Sequence, residues 1–442
     1  MNYSDLISNT NPQMVVDGMN IIKANHLANN EFLPNTNPLK MNSMDAIKNH
    51  FDNGNPFTLN PDDVKVYLAA SAITHCFDGW LYLSQAIDSL LKGDKGIAIH
   101  LAYYAELRGT LSFLARQGVS VNSRKHIGVN GTGVLKSFKH TDGTHVDAWK
   151  YLDSWMNSSS VDHTVLLNYF SVRNKSLNDW VNHIPYHITP ILASHYTLEW
   201  MKEWSFDIMN YEEDRNFRNI VTYQPQRLID NSQIDFKVKF AGISNIWKFI
   251  EPNGSDKFAL LDKYLFSILF DKIHRSPIIA STGLSLENLT ENTFVLAGLT
   301  KDLSIKEIMD LGINNSILTA AKNKAIQLPS GELIPLNIIS RALLMLRISS
   351  GCAYELMNSA GITTSNIDFY LNNLGNNIGY WKGATPNNFE ALWDDINDSV
   401  TMIDELLNEP ADLILSDLYK DWPSELNYFK QISRACFWGS FA

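Results

Sequence analysis

Cysteine is scarce in this chain: three thiols in 442 residues, Cys76, Cys352 and Cys436, with no CxxC pair. That spacing gives no basis for a thiolate zinc site. Each thiol lies in a mainly apolar stretch and reads as a small core residue, as expected in a reducing cytoplasm. An excess of positive charge is also missing. The formal net charge is −11, which argues against a broad phosphate-binding surface but leaves room for a local basic site. No apolar run reaches membrane-spanning length; Arg341 and Arg347 interrupt ISRALLMLRISSG, so no transmembrane helix is expected. The start, MNYSDLISNTNPQ, has neither a basic n-region nor an apolar h-region, and no signal peptide is expected. What is present is a globular balance, 45% hydrophobic and 19% charged residues, in a chain long enough for two or three domains.

Residues 1–58 are rich in Asn and Pro and read as an N-terminal arm with one short helix near 43–52. LNPDDVKVYLAA then opens a strong helix, with Asn60 as cap, Pro61 in the first turn, and Asp62 and Asp63 complementing the helix dipole. It runs to about Leu91, where KGDKG stops it. A second helix is predicted over 97–117, with Ile97, Leu101, Tyr104, Arg108, Leu111 and Ala115 at spacings of three or four and Gly118 as C-terminal cap. After a loop over 120–145, helices are predicted in VDAWKYLDSWM, VDHTVLLNYFSVRNKSLNDWV and TPILASHYTLEWMKEWSFDIM. In 206–255, NIVTY and QIDFKVKFAG alternate or favour β-branched residues and predict one or two short strands. The expected class is mostly α: a helical bundle over 59–205, a mixed connecting segment over 206–255 serving as domain boundary, and a C-terminal helical domain over 256–442.

Within FSVRNKSLNDWVNH, the residues Arg173, Asn174 and Asn178 are placed on a helix. Together with the helical order around YYAELRGTLSFLA, this resembles the HEPN superfamily over roughly residues 60–205. RNase members of that family carry Arg, four to six residues, then His, often as RNxxxH. Asn178 stands here where the His belongs. The resemblance implies metal-independent RNA cleavage without a cofactor, a link to prokaryotic antiviral defence, and sites shared between two copies. In that chemistry Arg173 would stabilise charge developing on the phosphate, and a His would move a proton on the attacking 2′-hydroxyl. An amide cannot be that base. On an ideal helix, positions 173 and 178 lie roughly 140° apart, so they converge only through distortion or across a dimer. A homodimer, or a complex with another protein, is therefore expected, with Tyr103, Tyr104 and Trp180 as anchors.

Other residues could complete the site. His183 precedes Ile184-Pro185, where it could equally serve the carbonyls of a helix end. His163 reads as solvent-facing. Glu106 could pair with Arg173 within a bundle or contribute to a polar site. Arg124, Lys125, His126, Lys136, Lys139 and His140 form the best basic cluster, suited to RNA or an acidic partner face, or simply a solvated loop. Gly128 and Gly133 have phosphate-loop spacing, but Val134 follows where a Lys is needed. Asp142, His145 and Asp147 are too few for a metal site, and no metal is expected. Two functions follow: an RNase or RNase-derived effector with a degenerate site, or a non-catalytic helical scaffold that docks a partner.

Overall fold

Apolar residues of the Asn-rich N-terminal segment recur at helical spacing, and the computed structural model buries them in three helices rather than an arm: α1 (Tyr3–Asn9), α2 (Gln13–Asn25) and α3 (Pro38–Phe51). The structure describes residues 1–52, 57–137, 142–186, 188–204, 208–223, 236–254, 256–299, 308, 315–323, 335–408 and 415–441. Leu6, Val15, Met19 and Ile22 are fully buried. Each such side chain contributes about 1.5–3 kcal/mol, which outweighs the roughly 0.7 kcal/mol lost by placing an Asn in a helix. A Cβ on Gly18 would lie 2.2 Å from the Lys65 carbonyl oxygen, so glycine lets α2 approach the next helix closely.

That next helix, α4 (Pro61–Leu91), starts as the sequence predicts: the Asn60 side chain accepts the N–H of Asp62 at 3.0 Å. α5 (Lys95–Arg116) folds back along it, and Gly118 follows at φ +86°. Up to Arg108 the predicted stripe is the less buried side of α5, and Leu111 and Ala115 at its far end are buried; Ile97 is exposed and Tyr104 half-buried, whereas Ile99, Tyr103 and Glu106 are enclosed. Beyond α5 comes a three-stranded antiparallel sheet, β1 (Val119–Ser120), β2 (Ile127–Asn130) and β3 (Gly133–Lys136), in place of most of the expected loop. The glycines of the weighed phosphate loop belong to the paired strands β2 and β3.

Residues 206–255 contain no strand among those described. NIVTY ends helix α9 (Ile208–Tyr223) and FKVKFAG begins helix α10 (Phe236–Phe249), after α6 (Thr144–Asn157), α7 (Leu177–Asn182) and α8 (Pro190–Glu203). β-Branched residues fit a helix whose apolar face is packed; Phe240, Ile243, Ile246 and Trp247 are all buried. Nor does this segment divide two cores. One connected cluster of buried side chains runs from Leu6 to Phe441.

Its centre is the helix Pro335–Ser359, packed on α4 and α5. Gly79 and Gly109 permit the approach; a Cβ would come within 2.5 Å of Leu346 and 2.9 Å of Met345, respectively. This helix is apolar on nearly every side, yet its two arginines are buried, each against a buried aspartate. No described helix is long and apolar enough to cross a membrane. The protein is mostly α-helical, with two small sheets among the described residues.

Candidate functional site

Arg173 and Asn174 are not on a helix. The segment predicted as one helix is a short 3-10 helix (His163–Tyr169), a hairpin of β4 (Ser171–Val172) and β5 (Lys175–Ser176), and then α7. Ser171 pairs with Ser176 and Val172 with Lys175, which leaves Arg173 and Asn174 as the two-residue turn. Their φ angles are +54° and +61°, the pattern of a type I′ hairpin turn. The strand N–H of Ser171 donates to Asp262 at 3.1 Å, and the N–H of Asn174 donates to Asp256 at 3.3 Å. The Arg173 guanidinium lies 5.5 Å from the centre of the Phe294 ring. Ser176 and Asp179 form a capping box at the start of α7. Asn178 follows half-buried, with no side-chain hydrogen bond among the described residues. His183 ends α7, its Nδ1 2.6 Å from the Asp179 carbonyl.

A turn with two positive φ angles favours glycine. Asn174→Gly is therefore expected to leave the thermal midpoint unchanged or slightly raised, because the relief of a positive φ offsets the backbone entropy that glycine adds to the unfolded chain. A clear drop would contradict the turn assignment.

Glu106 pairs with Arg341 rather than with Arg173. All three members of the cluster Glu106, Asp214 and Arg341 are fully buried, on α5, α9 and the helix Pro335–Ser359. Arg341 binds Asp214 through two hydrogen bonds of 2.6 Å and stands 3.7 Å from Glu106. It also donates to the carbonyls of Ala321 at 3.0 Å and Asn323 at 2.7 Å. Burial drives the Glu106 carboxyl well above its ordinary pKa, the neighbouring Asp214 adds to this, and Arg341 opposes it. A proton on Glu106 gives the pair of carboxyls the donor it otherwise lacks.

A carboxyl raised on folding stabilises the folded state below the ordinary carboxylate range, and that stability is lost as pH rises toward the folded-state pKa. The Gln in Glu106→Gln does not titrate. Its stability is therefore expected to match the wild type near pH 4 and to exceed it increasingly towards pH 8. The gap should open by at most about 1.4 kcal/mol per pH unit. Parallel pH profiles of thermal unfolding for the two proteins would refute a neutral Glu106.

Above this cluster, α5, α6 and α9 meet in a group of rings and cations. Tyr103 Oη lies 3.3 Å from His145 Nδ1 and accepts the Trp149 indole N–H at 3.4 Å. Trp149 stacks on Tyr211 at 4.6 Å. The Arg218 guanidinium sits 5.2 Å from the Tyr103 ring centre and 5.8 Å from that of Tyr104. His100 Nδ1 is 2.9 Å from Thr222 Oγ1. Tyr103 is thus internal, and so is Trp180, which donates to the Val172 carbonyl at 3.1 Å and stacks on Phe294 at 4.4 Å. Neither can anchor a partner from inside the core; of the three expected anchors only Tyr104 is partly exposed.

The expected basic cluster is also dispersed. His126 is fully buried. Its Nδ1 accepts the Asn122 N–H at 3.1 Å, so Nε2 donates to Asp147 at 3.0 Å. Tyr3 donates to the same carboxylate at 2.6 Å. Lys136 reaches back to the His50 carbonyl and the Phe51 ring. Arg124 is exposed and Lys125 half-buried; Lys139 and His140 lie outside the described residues. Asp142, His145 and Asp147 face different partners, Lys150, Tyr103 and His126. His163 is buried rather than solvent-facing. Its Nε2 donates to the Trp155 carbonyl at 2.9 Å, and Ser194 Oγ donates to its Nδ1 at 3.0 Å.

No family model, curated protein or solved structure matches the chain. The polar residues that sequence reasoning missed are Asp214, Arg218, Asp262, Arg341 and Arg347. Two signals pointed to them. Arg341 and Arg347 interrupt an otherwise apolar helix, and RNFRN, residues 215–219, places the Arg-Asn pair on an actual helix, α9.

Proposed function

We propose that this chain is a helical binding subunit of nuclease-like character, which docks another protein or a second copy of itself and does not cleave RNA through Arg173. One observation carries the reading: Arg173 and Asn174 are the turn of a two-residue hairpin. Phosphodiester cleavage needs a proton-transfer group beside the charge-stabilising Arg. Asn178 offers only an amide, and His183 turns its Nδ1 to its own helix end. A role in antiviral defence comes with the HEPN resemblance and belongs to the same proposal.

A groove of about 610 Å³, bounded by the end of α6 and the start of α8, supports docking; Met156, Val161, Pro190, Ile191 and Leu198 form its apolar lining. Ile191 is 82% exposed on its rim. Sedimentation at micromolar concentration is expected to give a homodimer or a complex with a co-purifying protein, weakened in Ile191→Asp. A monomer with no companion would count against this reading.

A second reading, metal-independent RNA cleavage by other residues, is favoured by Arg218-Asn219. This Arg-Asn pair lies on a helix packed against the helix of Glu106.

A further inference from the structure

Arg218 is only 7% exposed, and its Nε is buried without a hydrogen-bond acceptor. No carboxylate pairs with it among the described residues. Asp214, four residues before it on α9, and Glu106 on the facing helix α5 are committed elsewhere, since both face Arg341. What surrounds Arg218 is electron-rich or cationic. Tyr103 and Tyr104 present their rings to it. His145 is held neutral, its pKa lowered to about 4 by burial first and then by the charges of Arg218, Arg215, His100 and Arg108. Of these, Arg108 is partly satisfied, 3.9 Å from Asp78. Enclosing an arginine without a counter-charge is costly, and a chain of net charge −11 has carboxylates to spare elsewhere.

We infer that the junction of α5, α6 and α9 binds the terminal phosphate of a small phosphorylated molecule, with Arg218 as its central donor. A guanidinium matches phosphate oxygens with two parallel N–H donors. The half-buried His145 and His100 supply further donors beside it, and Arg215 adds charge. The enclosure of Arg218 selects a terminal group. A phosphate monoester enters with one substituent trailing, whereas a phosphodiester would bring sugar past Tyr104 on both sides. Tyr104 and His100, both half-buried, with ring centres 4.9 Å apart and planes inclined at 41°, offer aromatic faces to the remainder of the ligand, as a nucleobase would use. The inference concerns binding alone; it does not rest on the docking reading, and it shares Arg218 with the second reading of function.

The test is calorimetric titration of the full chain with inorganic phosphate, AMP and adenosine at constant ionic strength. Saturable binding of phosphate and AMP, without binding of adenosine, is expected. Arg218→Gln should weaken AMP about tenfold or more. Should that variant not fold, the half-buried Arg215→Ala carries the test, with AMP weakened severalfold and the thermal midpoint of the free protein unchanged. Two further arms, RNA oligonucleotides with a 5′-phosphate and with a 5′-hydroxyl, separate a free nucleotide from an RNA end; tighter binding of the phosphorylated oligonucleotide than of AMP identifies the end. No saturable binding of any phosphate, or equal affinity in the wild type and the folded variants, would overturn the inference. Sedimentation reads the docking proposal separately, so failure of one is distinct from failure of the other.

Discussion

Arg341→Ala is expected to destabilise the protein by about 3–5 kcal/mol, the usual consequence of removing one partner from a buried charge network. The guanidinium makes two 2.6 Å hydrogen bonds to Asp214 and two more to the carbonyls of Ala321 and Asn323. Its loss leaves two dry carboxyls face to face and two carbonyls without donors. Part of the loss should return in Arg341→Ala combined with Asp214→Asn, because the amide removes one buried charge. Chemical denaturation monitored by tryptophan fluorescence reads both variants. A loss below about 1 kcal/mol, the range of an exposed ion pair, would show that water reaches this cluster.

Asp262→Ala is expected to cost a similar amount, for a different reason. Asp262 is fully buried and accepts two hydrogen bonds from Arg347, at 2.8 and 2.6 Å. Arg347 lies between the rings of Phe170 and Phe258, 4.6 and 4.8 Å from their centres. The same carboxylate holds the Ser171 N–H of the hairpin. Alanine therefore strands a buried guanidinium and unhooks β4 together, with a loss of about 3–5 kcal/mol. Asp262→Asn keeps an acceptor and the shape, so a smaller loss is expected. Equal losses in the two variants would mean that the carboxylate's charge alone matters here and that the retained acceptor and shape contribute nothing.

These networks explain what the sequence conceals. The start of α4 is legible because Asn60, Pro61 and the two aspartates act within one turn, and the end of α5 because Gly118 acts on its own backbone. Glu106 and Arg341 are 235 positions apart, and no local pattern links them; only packing does. The N-terminal helices were hidden by asparagine, whose weak propensity is overridden once Leu6 and Met19 are buried. NIVTY and QIDFKVKFAG, residues 219–223 and 233–242, suggest strands by alternation and β-branching, but tertiary contact decides such segments. The hairpin was the hardest to read. Its strands are two residues each, too short for alternation to register, and its turn uses Arg-Asn rather than Asn-Gly. The same two letters that resemble a nuclease motif also fit a turn, where asparagine tolerates a left-handed backbone well and arginine less so. His163 was misplaced because its partners, Trp155 and Ser194, belong to neighbouring helices.

The most direct test of the Arg173 assignment is incubation of the purified protein with labelled RNA in the presence of chelator, comparing wild type, Arg173→Ala and Asn178→His. The hairpin geometry predicts no Arg173-dependent cleavage: the wild type and Arg173→Ala should give the same RNA profile. Asn178→His should add no activity, since positions 173 and 178 share no helix. Chelator-resistant cleavage that falls about 10²–10³-fold in Arg173→Ala would contradict this assignment and place catalysis at the turn.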